Sequence, residues 1–294
     1  MSHPPAEISL TAEQVDRLIA AQHPSRRGTL ELVAHGWDND LFRLGDELAV
    51  RLPRRAAAAE LVEHEQRWLP LLAPRLPVPV PTPVAVGVPD GDYPWAWSIV
   101  PWFTGHPAIA DDPADRDALA EQLAEVLVAL HEPAPADAPA NPFRGVPLAA
   151  RDEAMRTRLA PHPVLLAAWT DALAAPPWAG PPLWLHGDLH PGNVLVDGAT
   201  VTAVIDFGDI TAGDPAADLS AGWLFFTAAG RERFRAQLGA RYDAASWRRA
   251  RGWAAAFAGA VVGIPESGFA GLAEHVRREL AADEGAGSEE PRPS

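Results

Sequence analysis

The chain contains no lysine: all 24 of its basic residues are arginine. That excludes a Walker-type phosphate loop, whose signature needs its Lys, and any chemistry that runs through a lysine Schiff base. Cysteine is missing as well, so neither a disulfide framework nor a thiolate metal site is available. There is no run of about 18 apolar residues, and the first ten residues lack the basic and apolar segments of a secretion signal. The expectation is a cytoplasmic protein with no membrane partner. Positive charge is scarce overall, since 39 acidic residues against 24 basic ones give a net charge of −15. That balance speaks against nucleic acid as a partner. It suits a cationic small molecule, or it serves solubility alone. The 294 residues, 48% of them hydrophobic, suffice for one two-lobed domain or two small ones. No internal repeat is evident, and oligomeric state is not legible.

What the chain does have is a dense polar stretch in its second half. His186-Gly187-Asp188-Leu189-His190-Pro191-Gly192-Asn193 runs into Val194-Leu195-Val196-Asp197, and Val204-Ile205-Asp206-Phe207-Gly208 follows. Asp188, Asn193 five residues on and Asp206 after a hairpin-like interval are each flanked by strand formers. Magnesium is a hard ion that takes oxygen ligands, commonly one or two carboxylates plus phosphates and water. Asn193 and Asp206 are therefore expected to hold Mg²⁺ against nucleotide phosphates, leaving Asp188 to orient an attacking hydroxyl. His-x-Asp-x-x-x-x-Asn followed by Asp-Phe-Gly is the order of the kinase phosphoryl-transfer template. A lone His-Gly-Asp would carry little weight; the full set in order is specific.

The spelling departs from protein kinases, which carry Arg at the position of Gly187. With the later Gly208-Asp209-Ile210-Thr211-Ala212-Gly213-Asp214-Pro215-Ala216-Ala217-Asp218-Leu219, it resembles the aminoglycoside phosphotransferase family. The resemblance spans roughly residues 29–280 and is sharp between 184 and 219. It implies an α+β, protein-kinase-like, two-lobed fold. Residues 1–105 would form a small mixed α/β nucleotide-binding lobe with the hinge, 106–282 a mainly helical catalytic and substrate lobe, and 283–294 a disordered tail. It further implies ATP or GTP as co-substrate, Mg²⁺, and a small-molecule acceptor such as an aminoglycoside or macrolide. A metabolic kinase for a sugar, amino alcohol or amino acid would share the same catalytic residues. A pseudokinase or a non-catalytic nucleotide-binding module is the remaining alternative. By the same resemblance Asp218 is structural and accepts backbone N–H bonds from the catalytic loop. His186 reads as a brace for that loop, with general base as its competing role. His190 either touches the transferring phosphate or packs. Asp209 aids metal or substrate binding, or caps a turn.

The first half supplies the nucleotide side. Residues 11–22 read as a helix with a Thr11/Gln14 capping box, and 29–34, 40–44 and 47–52 as strands. Between the first two strands the turn with Gly36 and Asn39 stands where a kinase carries its phosphate cover, and it offers backbone N–H groups to phosphate oxygens. Arg51, on the third strand, takes the place of the kinase lysine; a guanidinium binds phosphate or carboxylate bidentately. Glu65, fourteen residues on in a helix over 56–72, is the chosen partner, with Glu60 and Glu63 as competitors. Strands are expected at 84–88 and 95–100, joined by a turn that includes Asp92. By resemblance, the extended Pro101-Trp102-Phe103 is the hinge whose backbone would hold the base. Trp95, Trp97 and Trp102 either stack on the base or pack in the core. Helices are expected over 112–131, 149–159, 164–174, 214–228, 231–238, 244–262 and 269–282, and a loop over 133–142. Asp152, Glu153 and Asp171 are candidates for a cationic substrate, or are solvated helix faces.

Overall fold

The structure, a computed structural model, describes residues 5–91, 93–264 and 269–287, so Asp92 and the last residues of the expected tail lie outside it. Helix α1 (Ala12–Gln22) starts at Thr11, whose hydroxyl receives the Gln14 N–H while Gln14 Oε1 receives the Thr11 N–H at 2.8 Å. Three antiparallel strands follow, β1 (Leu30–His35), β2 (Asn39–Leu44) and β3 (Leu48–Pro53), then helix α2 (Ala56–Leu72) and strands β4 (Ala85–Gly87) and β5 (Trp97–Pro101). The sheet order is β1-β2-β3-β5-β4. Strand β2 buries Asp40, Phe42 and Leu44 and half-exposes the residues between, the period-two pattern of a sheet with one covered face. Phe42, Val50, Leu52, Trp97 and Ile99 form that covered face together with Val15, Leu18 and Ile19 of α1. Trp97 is thus a core residue, and Gly87 leaves it room: a Cβ there would stand 1.8 Å from the indole.

The chain then crosses into the larger lobe through β6 (His106–Pro107), α3 (Pro113–Arg116), α4 (Ala120–Leu130), α5 (Asp152–Leu159) and α6 (Pro163–Leu173). Strands β7 (Leu183–Leu185), β8 (Val194–Asp197), β9 (Thr200–Val204) and β10 (Thr211–Gly213) come next. Helices α7 (Ala216–Leu219), α8 (Ala221–Phe225), α9 (Ala228–Leu238), α10 (Ala244–Val261) and α11 (Phe269–Gly287) complete the lobe. The strands build two small sheets, β7 with β10 and β6-β8-β9, which hold the polar stretch between them. Gly198 closes the β8–β9 hairpin at φ 58°. Among the described residues no helix is long and apolar enough to cross a membrane.

Several elements differ from the sequence expectation for physical reasons. The helix expected over 112–131 breaks at a 3-10 turn, Asp117–Leu119. There Asp117 turns its carboxylate to the Thr227 N–H (2.9 Å) and hydroxyl. The helix expected over 214–228 is two short pieces divided at Ser220, and the second ends where Phe226 turns extended and places its ring beside Phe225 and Phe234. Asp214 accepts the Ala216 N–H, but helix α7 begins only after Pro215. Helix α11 continues five residues past the expected end at 282, to Gly287. Asp283 explains the extension: it accepts from Arg231 Nη2 and Trp223 Nε1, both at 2.8 Å.

Candidate active site

The polar stretch is a loop between β7 and β8, pinned from below by Asp218. One oxygen of this wholly buried carboxylate accepts the His186 N–H at 2.7 Å and the other accepts the Gly187 N–H at 2.9 Å. His131 Nε2 lies 3.1 Å away, and Tyr242 OH 2.7 Å from the other ring nitrogen. Burial works to raise the Asp218 pKa, but the His131 hydrogen bond and charge and the loop amides outweigh it and hold the carboxyl low. Gly187 has φ 85°, and a Cβ on it would stand 2.3 Å from the Asp209 carbonyl oxygen. The Arg of protein kinases therefore has no room here.

His186 spends both ring nitrogens on the backbone. Nδ1 accepts the Asp188 N–H at 3.2 Å and Nε2 donates to the Ile205 carbonyl at 3.0 Å, with the ring 4.5 Å from Phe207. It braces the loop and has no nitrogen left for general base chemistry. Asp188 is presented above it. Its Oδ1 accepts from Arg144 Nη2 at 2.6 Å, and its Oδ2 lies 3.4 Å from His190 Nε2. Burial pushes this carboxyl up, yet Arg144 and then His190 pull harder and leave it well below the usual carboxylate range. His190 takes the Gly192 N–H on Nδ1 at 3.0 Å and packs against Phe257 and Phe269. Asn193 donates Nδ2 to the Asp188 carbonyl at 3.0 Å, which leaves its Oδ1 for a ligand.

Asp206 is the one non-glycine residue with positive φ (63°) among the described residues, a conformation that costs energy and recurs at functional positions. Its Oδ1 accepts from Arg51 Nη2 at 3.0 Å, while Arg51 Nη1 donates to Glu65 at 2.6 Å. Arg51 thus spans strand β3, helix α2 and the Asp-Phe-Gly turn. Burial works to lower its pKa, but the two carboxylates raise it above normal. Glu65 is 3% exposed, whereas Glu60 and Glu63 face solvent, so the helix pitch selects Glu65. Burial raises the Glu65 pKa against the pull of Arg51.

A cleft of about 430 Å³ is lined by Gly36, Asn39, Arg51, Pro101, Phe103, Asn193 and Asp206. The residues expected on the nucleotide side are therefore brought together, apart from Glu65, which sits behind Arg51. In detail the turn differs from expectation. The Gly36 N–H is already donated to the Asn39 carbonyl at 2.8 Å and its own carbonyl accepts from Arg54, so Gly36 offers space and not a donor. Trp102 N–H is likewise spent on the Glu47 carbonyl, at 2.7 Å. Of the three tryptophans proposed for stacking, Trp102 lines the cleft, Trp97 is core and Trp95 packs edge-on against Tyr93.

A second cavity, of about 540 Å³, opens on the other side of Asp206. Asp188, His190, Arg144, Arg158, Asp209 and an apolar wall of Leu61, Phe257, Val261, Ile264 and Phe269 line it, and it meets the first at Asn39, Asn193 and Asp206. The acidic candidates for substrate binding lie elsewhere. Asp152 is taken by Arg156 and Trp169, and Asp171 by Arg248, on the outer helices; Glu153 is exposed there. Sequence reasoning missed Arg144 altogether, because a lone Arg beyond an Ala/Pro-rich loop has no spacing to any motif.

Three solved structures similar to the chain locate this geometry among known folds. The complex of APH(2")-IIia with GDP and kanamycin is 19% identical, with a TM-score of 0.68 over 91% of this chain and 98% of that one. The streptomycin–ATP–APH(2")-IIa ternary complex is 18% identical, with a TM-score of 0.59 over 92% and 97%. Macrolide 2'-phosphotransferase MphH from Brachybacterium faecium is 26% identical, with a TM-score of 0.61 over 95% and 99%. No curated protein matches the sequence. The phosphotransferase enzyme family matches over residues 29–253, a span that holds Arg51, Glu65, Asp188, Asn193, Asp206 and Asp218. The two lobes, the cleft between them and that match together place the chain: it belongs to the phosphotransferase enzyme family and is a small-molecule phosphotransferase with a hydroxyl group as acceptor.

Proposed function

We propose that the protein transfers the terminal phosphoryl group of ATP or GTP to a hydroxyl of an antibiotic such as an aminoglycoside or a macrolide. The observation that carries the phosphotransfer is the convergence of Arg51, Asn193, Asp206 and Asp188 where two cavities meet. The 430 Å³ side takes the nucleotide, with Pro101 and Phe103 at its base end and Arg51 at its phosphate end. Asn193 Oδ1 and the Asp206 carboxylate are two hard oxygen donors on one side of the junction, a set that fits Mg²⁺ bridging to phosphate oxygens. When bound, the metal would neutralise charge on the phosphates. Asp188 accepts the hydrogen bond of the acceptor hydroxyl and aims its oxygen at phosphorus. Asp218 and His186 keep that loop in place. The apolar wall of the acceptor side suits the hydrocarbon bulk of a macrolide, and the carboxylates of the same cavity, Asp38, Glu65 and Asp209 among them, suit the amino groups of an aminoglycoside. The similar structures include both a kanamycin complex and a macrolide 2'-phosphotransferase.

The test is an acceptor screen with ATP and GTP in parallel, Mg²⁺, and a panel of macrolides, aminoglycosides, sugars and amino alcohols. Nucleoside diphosphate release is read against Asp188→Ala. A macrolide or aminoglycoside hit that disappears in the variant supports the proposal. Turnover with sugars or amino alcohols alone moves the protein to a metabolic role. Nucleotide binding with no turnover by any acceptor rejects catalysis.

A further inference from the structure

We infer that Arg144 is a positioning residue for phosphoryl transfer: it clamps Asp188 Oδ1 so that Oδ2 is held toward the acceptor hydroxyl. This rests on the phosphotransfer function proposed above. The Arg144–Asp188 pair lines the acceptor cavity and is partly exposed, 31% and 23% at the two side chains. Solvent reaches both side chains and screens part of what the pair contributes to stability. The chain nonetheless builds a loop around it. Asn141 caps the loop, its Oδ1 accepting the N–H groups of Phe143 (2.8 Å) and Arg144 (3.2 Å). Its Nδ2 donates to Asp209 Oδ1 at 2.6 Å and its own N–H to Thr211 Oγ at 3.0 Å. Gly145 turns the chain away at φ 66°, and a Cβ on it would stand 2.6 Å from Leu185. Its carbonyl accepts the Asp214 N–H at 2.8 Å.

The anchors of this loop are Asp209, Thr211, Asp214 and Leu185, which belong to the β7–β10 pair or adjoin it. The Asp188 loop leaves the end of the same β7. Guanidinium and carboxylate therefore share one frame, so their relative placement does not depend on the opening of the cleft. A carboxylate on a single Cβ–Cγ bond would otherwise turn freely between its two oxygens. With Oδ1 held by Nη2, the rotation stops, and Oδ2 is left between His190 Nε2 and the cavity. In the transfer the acceptor oxygen–phosphorus bond forms as the bond to the leaving nucleoside diphosphate breaks. The hydroxyl proton passes to Asp188 Oδ2 and then to solvent. An aligned hydrogen bond from the hydroxyl is what this step requires, and misplacement by about 1 Å costs on the order of 10²-fold in rate.

The test measures diphosphate release from Mg·ATP and Mg·GTP, with erythromycin and kanamycin as acceptors. It compares wild type, Asp188→Asn, Arg144→Ala, Arg144→Lys and Arg144→Ala with millimolar guanidinium chloride. The expected result for Arg144→Ala is kcat lower by roughly 10- to 100-fold, with the nucleotide KM and the melting temperature within twofold and 2 °C or so of wild type. Added guanidinium ion and Arg144→Lys should each restore part of kcat. A kcat unchanged in Arg144→Ala while Asp188→Asn is dead overturns the inference and leaves the proposed function standing. A loss that comes with a lowered melting temperature and answers to neither guanidinium nor Lys also overturns it, since Arg144 would then serve the fold alone. Silence of the wild type with both acceptors and both nucleotides overturns the two together.

Discussion

The two walls of the cleft are built in opposite ways. The wall from the larger lobe, residues 183–219, is buried along most of its length, and its loop amides are satisfied from inside by Asp218. The wall from the smaller lobe ends in β1, five of whose six residues are exposed, and in a turn that carries a 40% exposed Trp37. Phosphoryl transfer needs its reacting groups aligned on a rigid base, while a nucleotide must enter and leave under a cover. In the proposed reaction the rigid wall carries Asp188, Asn193 and Asp206, and the lighter one covers the nucleotide. Arg51 ties the walls, with Glu65 on one side and Asp206 on the other.

Breaking the rigid wall should have the largest effect. Asp218→Asn is nearly isosteric, but it exchanges one of two acceptor oxygens for a donor that faces the N–H of His186 or Gly187. The expected cost is about 3 kcal/mol or more of stability, the range for a disrupted buried charge network, with turnover falling alongside. Thermal melts and diphosphate release on the same sample check this; a variant that melts like wild type would show that the loop is anchored elsewhere. Cutting the tie comes next. Arg51→Ala should raise the nucleotide KM and lower kcat, each about tenfold, the worth of one charge-assisted contact, and should lower the melting temperature because Glu65 is left buried without its partner. Unchanged kinetics would place Arg51 outside the site.

The smallest effect at neutral pH sharpens the comparison by probing the interior of the larger lobe, outside the residues that line either cavity. Burial holds His275 down to about 4, against 6.5 for the free side chain, and its Nε2 has no hydrogen-bond partner. The folded state resists a proton that the unfolded chain accepts. Its contribution to stability is therefore complete above about pH 6.5 and is lost as the pH falls toward 4, by on the order of 1 kcal/mol per pH unit. His275→Gln should flatten the acid limb of a urea-midpoint-against-pH curve, with little change at pH 7.5 or so. An identical acid limb in both proteins would assign the sensitivity to other groups.

Much of the site was legible because its residues are tied by short spacings. Asp188, Asn193 and Asp206 fall within one loop and one hairpin, and the capping box of α1 is a four-residue pattern. The Arg51–Glu65 pair was legible in part: the kinase template called for a strand cation and a helix carboxylate, and it is the pitch of α2 that selects Glu65 over Glu60 and Glu63. What escaped were contacts between segments far apart in the chain. Arg144 reaches Asp188 across 44 residues and the His131–Asp218 contact spans 87. Helix continuity failed for a similar cause. Asp117 sits in a 3-10 turn and reaches Thr227, 110 residues on, a partner that no local window contains. Of the two readings left open for Asp152, Glu153 and Asp171, the outer helix face is the one the structure shows, since a sequence gives charge but not which face of the lobe carries it.

The guanidinium at Arg51 has a practical consequence for detecting this enzyme in mixtures. Reagents that label kinases through the nucleotide site commonly deliver an activated acyl group to the amine beside the phosphates. A guanidinium stays protonated at any working pH and has no free electron pair with which to attack such a group. On the proposed nucleotide site, and with no lysine elsewhere in the chain, an acylating nucleotide analogue would find no lysine amine to modify. Surveys that count kinases by their acylated lysines would pass over this protein.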